Sequence, residues 1–303
     1  MSHIFDALQR AEAEKTGSDR PTFSFAAELL EAAEEKMREA VPMGEQQAKT
    51  DSLEPVPATS LVDDLESCPV LPVAIPENGH LVSIGREESL GAEKFRFLAV
   101  RLRQFRQSRP LKKVLITSTI PQEGKSTVAA NLACTLARRG QQKTLLLEGD
   151  LRRPTLAQKF GMSKVAGLCE WLSGETRGIN LYRLESLGLW VLPAGSAPQN
   201  PLELMQSGKL TLLMEQLEAS FDWIVIDSPP VLPLADASLW SRLADGILLV
   251  TRRGITEKQQ LQRGLEAVDK SKLLGALVNS SANAAHVDYY QRYGASANDR
   301  PKG

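Results

Sequence analysis

An α/β architecture is predicted for this 303-residue chain: a doubly wound, mostly parallel sheet with helices on both faces. Three observations carry that expectation. From about residue 83, short near-continuous apolar runs alternate with helical segments, the pattern of strands buried on both sides. The first run enters a tight loop that ends in Gly124-Lys125-Ser126-Thr127 at the head of a helix. Two later runs end in acidic residues, where an open α/β sheet binds its ligands.

Residues 1–82 come first and read as an acidic, flexible arm. Residues 1–80 hold 16 acidic and 6 basic side chains, and Pro55, Pro57, Pro69, Pro72 and Pro76 crowd the end. Few large apolar side chains are available there to build a core. Two short amphipathic patches interrupt it. The first, with Ile4, Phe5 and Leu8 on one face, suits docking to a partner better than folding alone. The start of the chain lacks a basic stretch followed by an apolar core, so no secretory signal is expected. No apolar run approaches the roughly 18 residues of a membrane span. Cys68, Cys134 and Cys169 show neither disulfide nor metal spacing, which suits a reducing cytoplasm.

Residues 83–283 form the expected nucleotide-binding domain. A basic helix, Glu93 to Gln107, precedes the strand that starts at Val114. A helix over Val128 to Arg139 follows the loop, then a strand over Lys143 to Glu148. Further strands are expected at Trp190–Leu192, Trp223–Asp227, Ile247–Val250 and Leu274–Val278. Helices fall between them, over 155–160, 168–172, 209–219, 236–242 and 257–271. Beyond residue 80 the chain holds 30 basic and 21 acidic side chains, a balance that suits phosphate ligands or a solvated face equally.

The loop carries the chemistry. Backbone N–H groups at a helix start, with the helix dipole behind them, favour an anion. Gln122, Glu123, Gly124, Lys125, Ser126 and Thr127 form the expected nucleotide cradle of a P-loop NTPase. Lys125 would bridge the β- and γ-phosphates, Ser126 would face Mg²⁺, and Thr127 would lie near the α-phosphate. Thr119 stands where the usual pattern has its first glycine. Asp227, at the tip of a buried strand, suits Mg²⁺ or its water. Glu148 and Asp150 form a second acidic pair that can divide metal and proton work. Ser126, Asp150 and Asp227 are thus the metal candidates, and Lys125, Glu148, Asp150 and Asp227 the catalytic ones. His3, His80 and His286 are isolated, and no aromatic–basic pattern points to nucleic acid.

Taken together, these motifs resemble the bacterial tyrosine kinases of capsule and exopolysaccharide loci. The likeness runs from about Ser83 to Tyr293. It rests on Gly-Lys-Ser-Thr, on an apolar strand followed by Glu148-Gly149-Asp150-Leu151-Arg152, and on Asp227-Ser228-Pro229-Pro230. Leu192-Pro193-Ala194-Gly195, Asn200-Pro201, Asp236-Ala237, Asp245-Gly246 and Val278-Asn279 extend it. So does a tail, residues 284–303, in which Tyr289, Tyr290 and Tyr293 are three of only four tyrosines in the chain.

The resemblance implies ATP-dependent phosphoryl transfer to protein tyrosine with Mg²⁺, and those three tyrosines as acceptors. Asn279 would join the nucleotide site. It also implies the split form: a cytoplasmic kinase recruited to the membrane by an activator of the chain-length-determinant kind on a separate chain. Other implied partners are further copies of itself, as a ring, and a cognate tyrosine phosphatase.

Three departures stand out. Glu148 replaces an aspartate given the role of base, Gln122 replaces a frequent glycine, and Ala99 replaces the second arginine of a Glu-x-x-Arg-x-x-Arg ring motif begun by Glu93 and Arg96. Two other classes stay open. A non-catalytic, nucleotide-dependent scaffold of the export complex is one. A partitioning or positioning ATPase of the same wider fold is the other, although such proteins carry a lysine where Ile120 stands and lack the tyrosine tail.

Overall fold

The structure is a computed structural model that describes residues 65–279, apart from 74, 77–78, 86–88, 139, 141, 163–164 and 233–234. The amphipathic patch of Ile4, Phe5 and Leu8 and the tail tyrosines Tyr289, Tyr290 and Tyr293 lie outside the described residues.

Seven strands form one sheet. They are β1 (Lys113–Ser118), β2 (Thr144–Glu148), β3 (Tyr182–Leu184), β4 (Leu189–Leu192), β5 (Trp223–Asp227), β6 (Gly246–Arg252) and β7 (Leu273–Asn279). Their order is β3-β4-β2-β5-β1-β6-β7. All neighbours are parallel except β3, which runs antiparallel to β4 at the edge.

The helices are α1 (Val82–Gly85), α2 (Leu90–Ser108), α3 (Lys125–Ala137), α4 (Leu156–Lys159), α5 (Leu168–Ser173), α6 (Pro201–Met205), α7 (Lys209–Ser220), α8 (Asp236–Leu243) and α9 (Lys258–Ala267). The α/β expectation thus holds, and the six strands expected from apolar runs all form. The two-residue side-chain alternation of a strand divides the core in two. Val114, Ile116, Leu146 and Val225 join the apolar face of α3 on one side. Leu115, Leu145, Leu147 and Ile224 join α5 and α7 on the other. Both layers are dry, which is why these strands read as continuous apolar runs.

Three short elements are not evident from periodicity: α1, α6 and β3. The segment before α1 packs as well. Leu65 and Leu81, which fall within the expected arm, are core residues. Leu71 N–H donates to Arg183 O at 3.0 Å, and Arg183 N–H donates to Pro69 O at 2.9 Å, so this proline-rich stretch runs beside β3. Proline is tolerated there because an edge needs hydrogen bonds on one side only. Asn131, fully buried on α3, fastens the entry to α1. Its Oδ1 accepts from Ser83 N–H at 3.0 Å, and its Nδ2 donates to His80 O at 3.0 Å. Cys134 and Cys169 are buried thiols whose pKa burial pushes up to about 12, which leaves them inert as packing residues.

Gly149 shows how tightly the acidic end of β2 is packed. A Cβ there would lie 2.6 Å from the ring of Trp240, whose Nε1 donates to Gly149 O at 3.0 Å. Trp240 is fully buried and cannot retreat without moving α8. Gly149→Ala is therefore expected to cost about 1–3 kcal/mol by overpacking, read as a lowered thermal midpoint.

Candidate nucleotide site

Parallel topology brings β1, β2 and β5 to a common C-terminal edge, and the loop after β1 closes over it. That loop is held from inside and from outside. Glu123 is fully buried, and its Oε2 accepts from Ile120 N–H at 2.8 Å while its Oε1 accepts from the Thr256 hydroxyl. From β6 and β7, Arg252 donates to Gln122 O at 3.2 Å and Asn279 Nδ2 donates to Glu123 O at 2.9 Å. Gly124 begins α3 with φ of +90°, a conformation open to glycine. Gln122 takes φ of +66° with a side chain attached. The loop has thus kept the left-handed turn that the glycine of the resemblance would supply, at a cost of about 1–2 kcal/mol.

The charged groups sit close together. Lys125 Nζ lies 2.7 Å from Asp150 Oδ2. Burial works against its positive charge, but Asp227 and Asp150 outweigh it and hold its pKa above the ordinary lysine value. Asp227 ends β5 fully buried, beside Glu148 in register on β2. Neither of its oxygens finds a partner of good hydrogen-bond geometry among the described residues. Burial pushes its pKa up to about 7, although the Lys125 charge and the nearby Ser126 hydroxyl pull it down. A buried carboxylate without donors beside a serine hydroxyl suits a divalent cation, so these residues fit Mg²⁺.

Glu148 is placed differently from the sequence expectation. Its Oε1 accepts from Leu156 N–H at 2.7 Å and from Thr155 N–H, capping α4. Its Oε2 accepts from Ala194 N–H at 3.0 Å, fixing the turn after β4. Burial raises its pKa, and the three amides oppose that rise. With both oxygens engaged by backbone, Glu148 holds the wall of the site. The cleft, of about 540 Å³, is lined instead by Asp150, together with Gln122, Gly124, Lys125, Ser126 and Thr127.

The comparisons were made against this geometry. No family model matches the chain. The tyrosine-protein kinase YwqD of Bacillus subtilis is 36% identical over 215 residues, spanning 69% of this chain and 90% of that kinase. The chain belongs to the bacterial tyrosine kinases. The succinoglycan biosynthesis transport protein ExoP of Rhizobium meliloti is 34% identical over 208 residues, which span 66% of this chain and 26% of ExoP. Among solved structures, the kinase domain of the Escherichia coli tyrosine kinase ETK superposes with a TM-score of 0.63 at 27% identity, covering 68% of this chain and 81% of that one.

Within the kinase, the structure brings Lys125, Ser126, Asp150 and Asp227 together, and places Asn279 against the loop. Sequence reasoning passed over Arg153, Gln158 and Lys159, which also line the cleft, and took Arg152, another lining residue, only as part of a motif. Arg152 makes a two-pronged pair with Asp236, at 2.7 and 3.2 Å, and so ties the acidic loop to α8. Lys159 ends a helix of only four residues. Its sequence signal is weak, because a single lysine on so short a helix has no periodic pattern around it. Among the described residues no helix is long and apolar enough to cross a membrane, and no group of His, Cys, Asp or Glu forms a metal cluster.

Two variants test the two carboxylates. Glu148→Ala orphans three backbone N–H groups and is expected to destabilise the kinase by about 2–5 kcal/mol, measured by urea unfolding. Asp227→Asn removes a buried charge that lacks donors, so the nucleotide-free protein should melt no lower than the wild type. The same variant should lose the dependence of nucleotide binding on Mg²⁺, measured by calorimetry.

Proposed function

We propose that this kinase is an ATP-dependent protein-tyrosine autokinase that regulates the synthesis and export of an exopolysaccharide or capsule polymer. The observation that carries the reading is Lys125 between Asp150 and Asp227 at the mouth of a latched phosphate loop. The polymer rests on kinship with a succinoglycan transport protein.

The chain's own groups then have defined tasks. The loop amides and Lys125 hold the phosphates and stabilise charge on the transferring group. Ser126 and Asp227 would hold Mg²⁺, which supplies neutralisation of phosphate charge. The tyrosine oxygen forms a bond to the γ-phosphorus as the bond from that phosphorus to the β-phosphate oxygen breaks, and ADP leaves. The phenolic proton passes to a carboxylate. Asp150 lines the cleft and would be freed as Lys125 turns to phosphate, so we assign that role to it, with Glu148 positioning the wall beside it.

The acceptors are Tyr289, Tyr290 and Tyr293. Eleven residues separate Val278 from Tyr289, a reach of at most about 35–40 Å. That reach admits a neighbouring copy's cleft, and we infer transfer in trans within a homo-oligomer. Three phosphates of about −1.5 to −2 charges each would repel bound ATP and loosen the assembly. A cognate phosphatase would restore it. The patch of Ile4, Phe5 and Leu8 would dock the acidic segment that precedes residue 65 onto a membrane activator protein. That contact would recruit a cytoplasmic kinase to the inner face of the membrane.

Incubation of the full chain with Mg-ATP followed by phosphotyrosine mapping tests the reading. Lys125→Met should lose phosphorylation by several orders of magnitude while the fold survives, because its charge acts on the phosphoryl group in transfer. Wild-type labelling in that variant would exclude the assignment. An active chain lacking residues 284–303 should label the tail of the Lys125→Met chain. An unlabelled tail under conditions where the wild type labels itself would exclude trans transfer.

A further inference from the structure

The nucleotide cleft contains a second ammonium group that the catalytic assignment leaves without a task. Lys159 closes α4, the short helix that Glu148 caps, and its half-buried side chain lines the cleft. Its Nζ donates to Thr127 Oγ1 at 2.9 Å. Among the described residues, that is its one hydrogen bond, and it makes no ion pair. Two other cations of the cleft have carboxylate partners: Lys125 pairs with Asp150, and Arg152 pairs with Asp236, while Arg153 is exposed to solvent.

An ammonium withdrawn from water needs a counterion. Burial lowers the pKa of Lys159; the Asp227 carboxylate pulls it up and the Lys125 charge pushes it down, and the balance stays downward. Asp227 is itself sunk at the tip of β5 and suited to a metal. The hydrogen-bond direction adds a further point. An ammonium has no lone pair, so Thr127 Oγ1 must be the acceptor. The threonine hydrogen is then free to donate into the cleft, beside the two remaining hydrogens of Nζ. Up to three donor hydrogens and a positive charge are thus available at Thr127, the third residue of α3.

We propose that Lys159 and Thr127 form a second phosphate clamp, binding the α-phosphate end that nucleoside di- and triphosphates share, while Lys125 serves the γ end. The inference rests on the nucleotide reading above and extends it. Because ADP keeps the phosphates nearest the nucleoside, the clamp would hold substrate and product alike. It would therefore set nucleotide affinity, and with it the rate at which ADP leaves. Glu148 would act on this clamp indirectly: by capping α4 it fixes where Lys159 stands.

Calorimetric titration of the full chain with Mg-ATP and with Mg-ADP tests the clamp in wild type, Lys159→Met, Lys159→Arg and Thr127→Val. Lys159→Met keeps the apolar stem and removes the charge. Its affinity for both nucleotides should fall by about tenfold, the worth of one charge-assisted hydrogen bond. Lys159→Arg should recover most of that loss, which a purely packing role would not predict. Thr127→Val and Lys159→Met combined should lose less than the sum of the two, since each breaks the same clamp. Unchanged affinity in Lys159→Met would overturn the proposal, as would a loss confined to ATP, which would put the lysine at the γ end. Additive losses would overturn the pairing with Thr127. Should the wild type bind neither nucleotide, the nucleotide reading itself fails, and this result is distinct from a wild type that binds beside an unaffected variant.

Discussion

Placing three carboxylates beside one another at the edge of a dry sheet is the constraint around which this structure is organised. Glu148 and Asp227 are in register on adjacent strands, and Asp150 lies two residues further along. Left alone, they would repel each other and lose hydration, so each needs its own solution. Glu148 takes three backbone amides, Asp150 takes the ammonium of Lys125, and Asp227 is left with neither. The first solution shapes the walls of the cleft, because the amides belong to the start of α4 and to the turn after β4. The second holds Lys125 at the mouth of the cleft. The third leaves a place for a cation. The layout of the site thus follows from how one patch of negative charge is divided.

The same division explains what the sequence could and could not reveal. Apolar runs identified β1, β2, β4, β5 and β6, because strands buried on both faces leave an uninterrupted signal. Its leucines and valine identified β7, although it lies half-exposed at the sheet edge. Tyr182–Leu184 is too short to give one, and its partner Pro69–Leu71 sits in a stretch whose prolines point away from strand. The helix expected to reach Ser271 ends at Ala267: Val268 takes an extended backbone while its side chain stays in the core, and exposed Asp269, Lys270 and Ser271 lead on to β7. Loop residues were legible because phosphate cradles need glycine, lysine and a hydroxyl in a fixed order. Glu148 was legible as a carboxylate, but its direction was not. The extra methylene relative to aspartate gives reach to the amides of Thr155, Leu156 and Ala194, and those lie 7, 8 and 46 residues away. Only the folded chain puts them around one side chain.

The departures from the family pattern are accommodated locally. Gln122 adopts the left-handed turn despite its side chain, and its carbonyl is stabilised by Arg252. Arg152 stays in the cleft through Asp236 on α8, and α8 is itself fastened through Trp240 to Gly149. The acidic loop is therefore held from two sides by one helix. A change in α8 would be felt at Asp150 without touching any ligand.

The latches on the phosphate loop have a consequence for the order in which the protein can be made. Gln122 and Glu123 are fixed by Arg252, Thr256 and Asn279, which follow them by 130, 133 and 156 residues. A chain growing on the ribosome has its cradle sequence long before it has the residues that set the cradle's shape. Closing such distant contacts is slow, and domains tend to complete as units. A nascent chain that stops short of β7 thus carries Lys125 on a loop lacking its outer supports. On the proposed reading, the shape that would hold phosphate is complete only once β7 has docked.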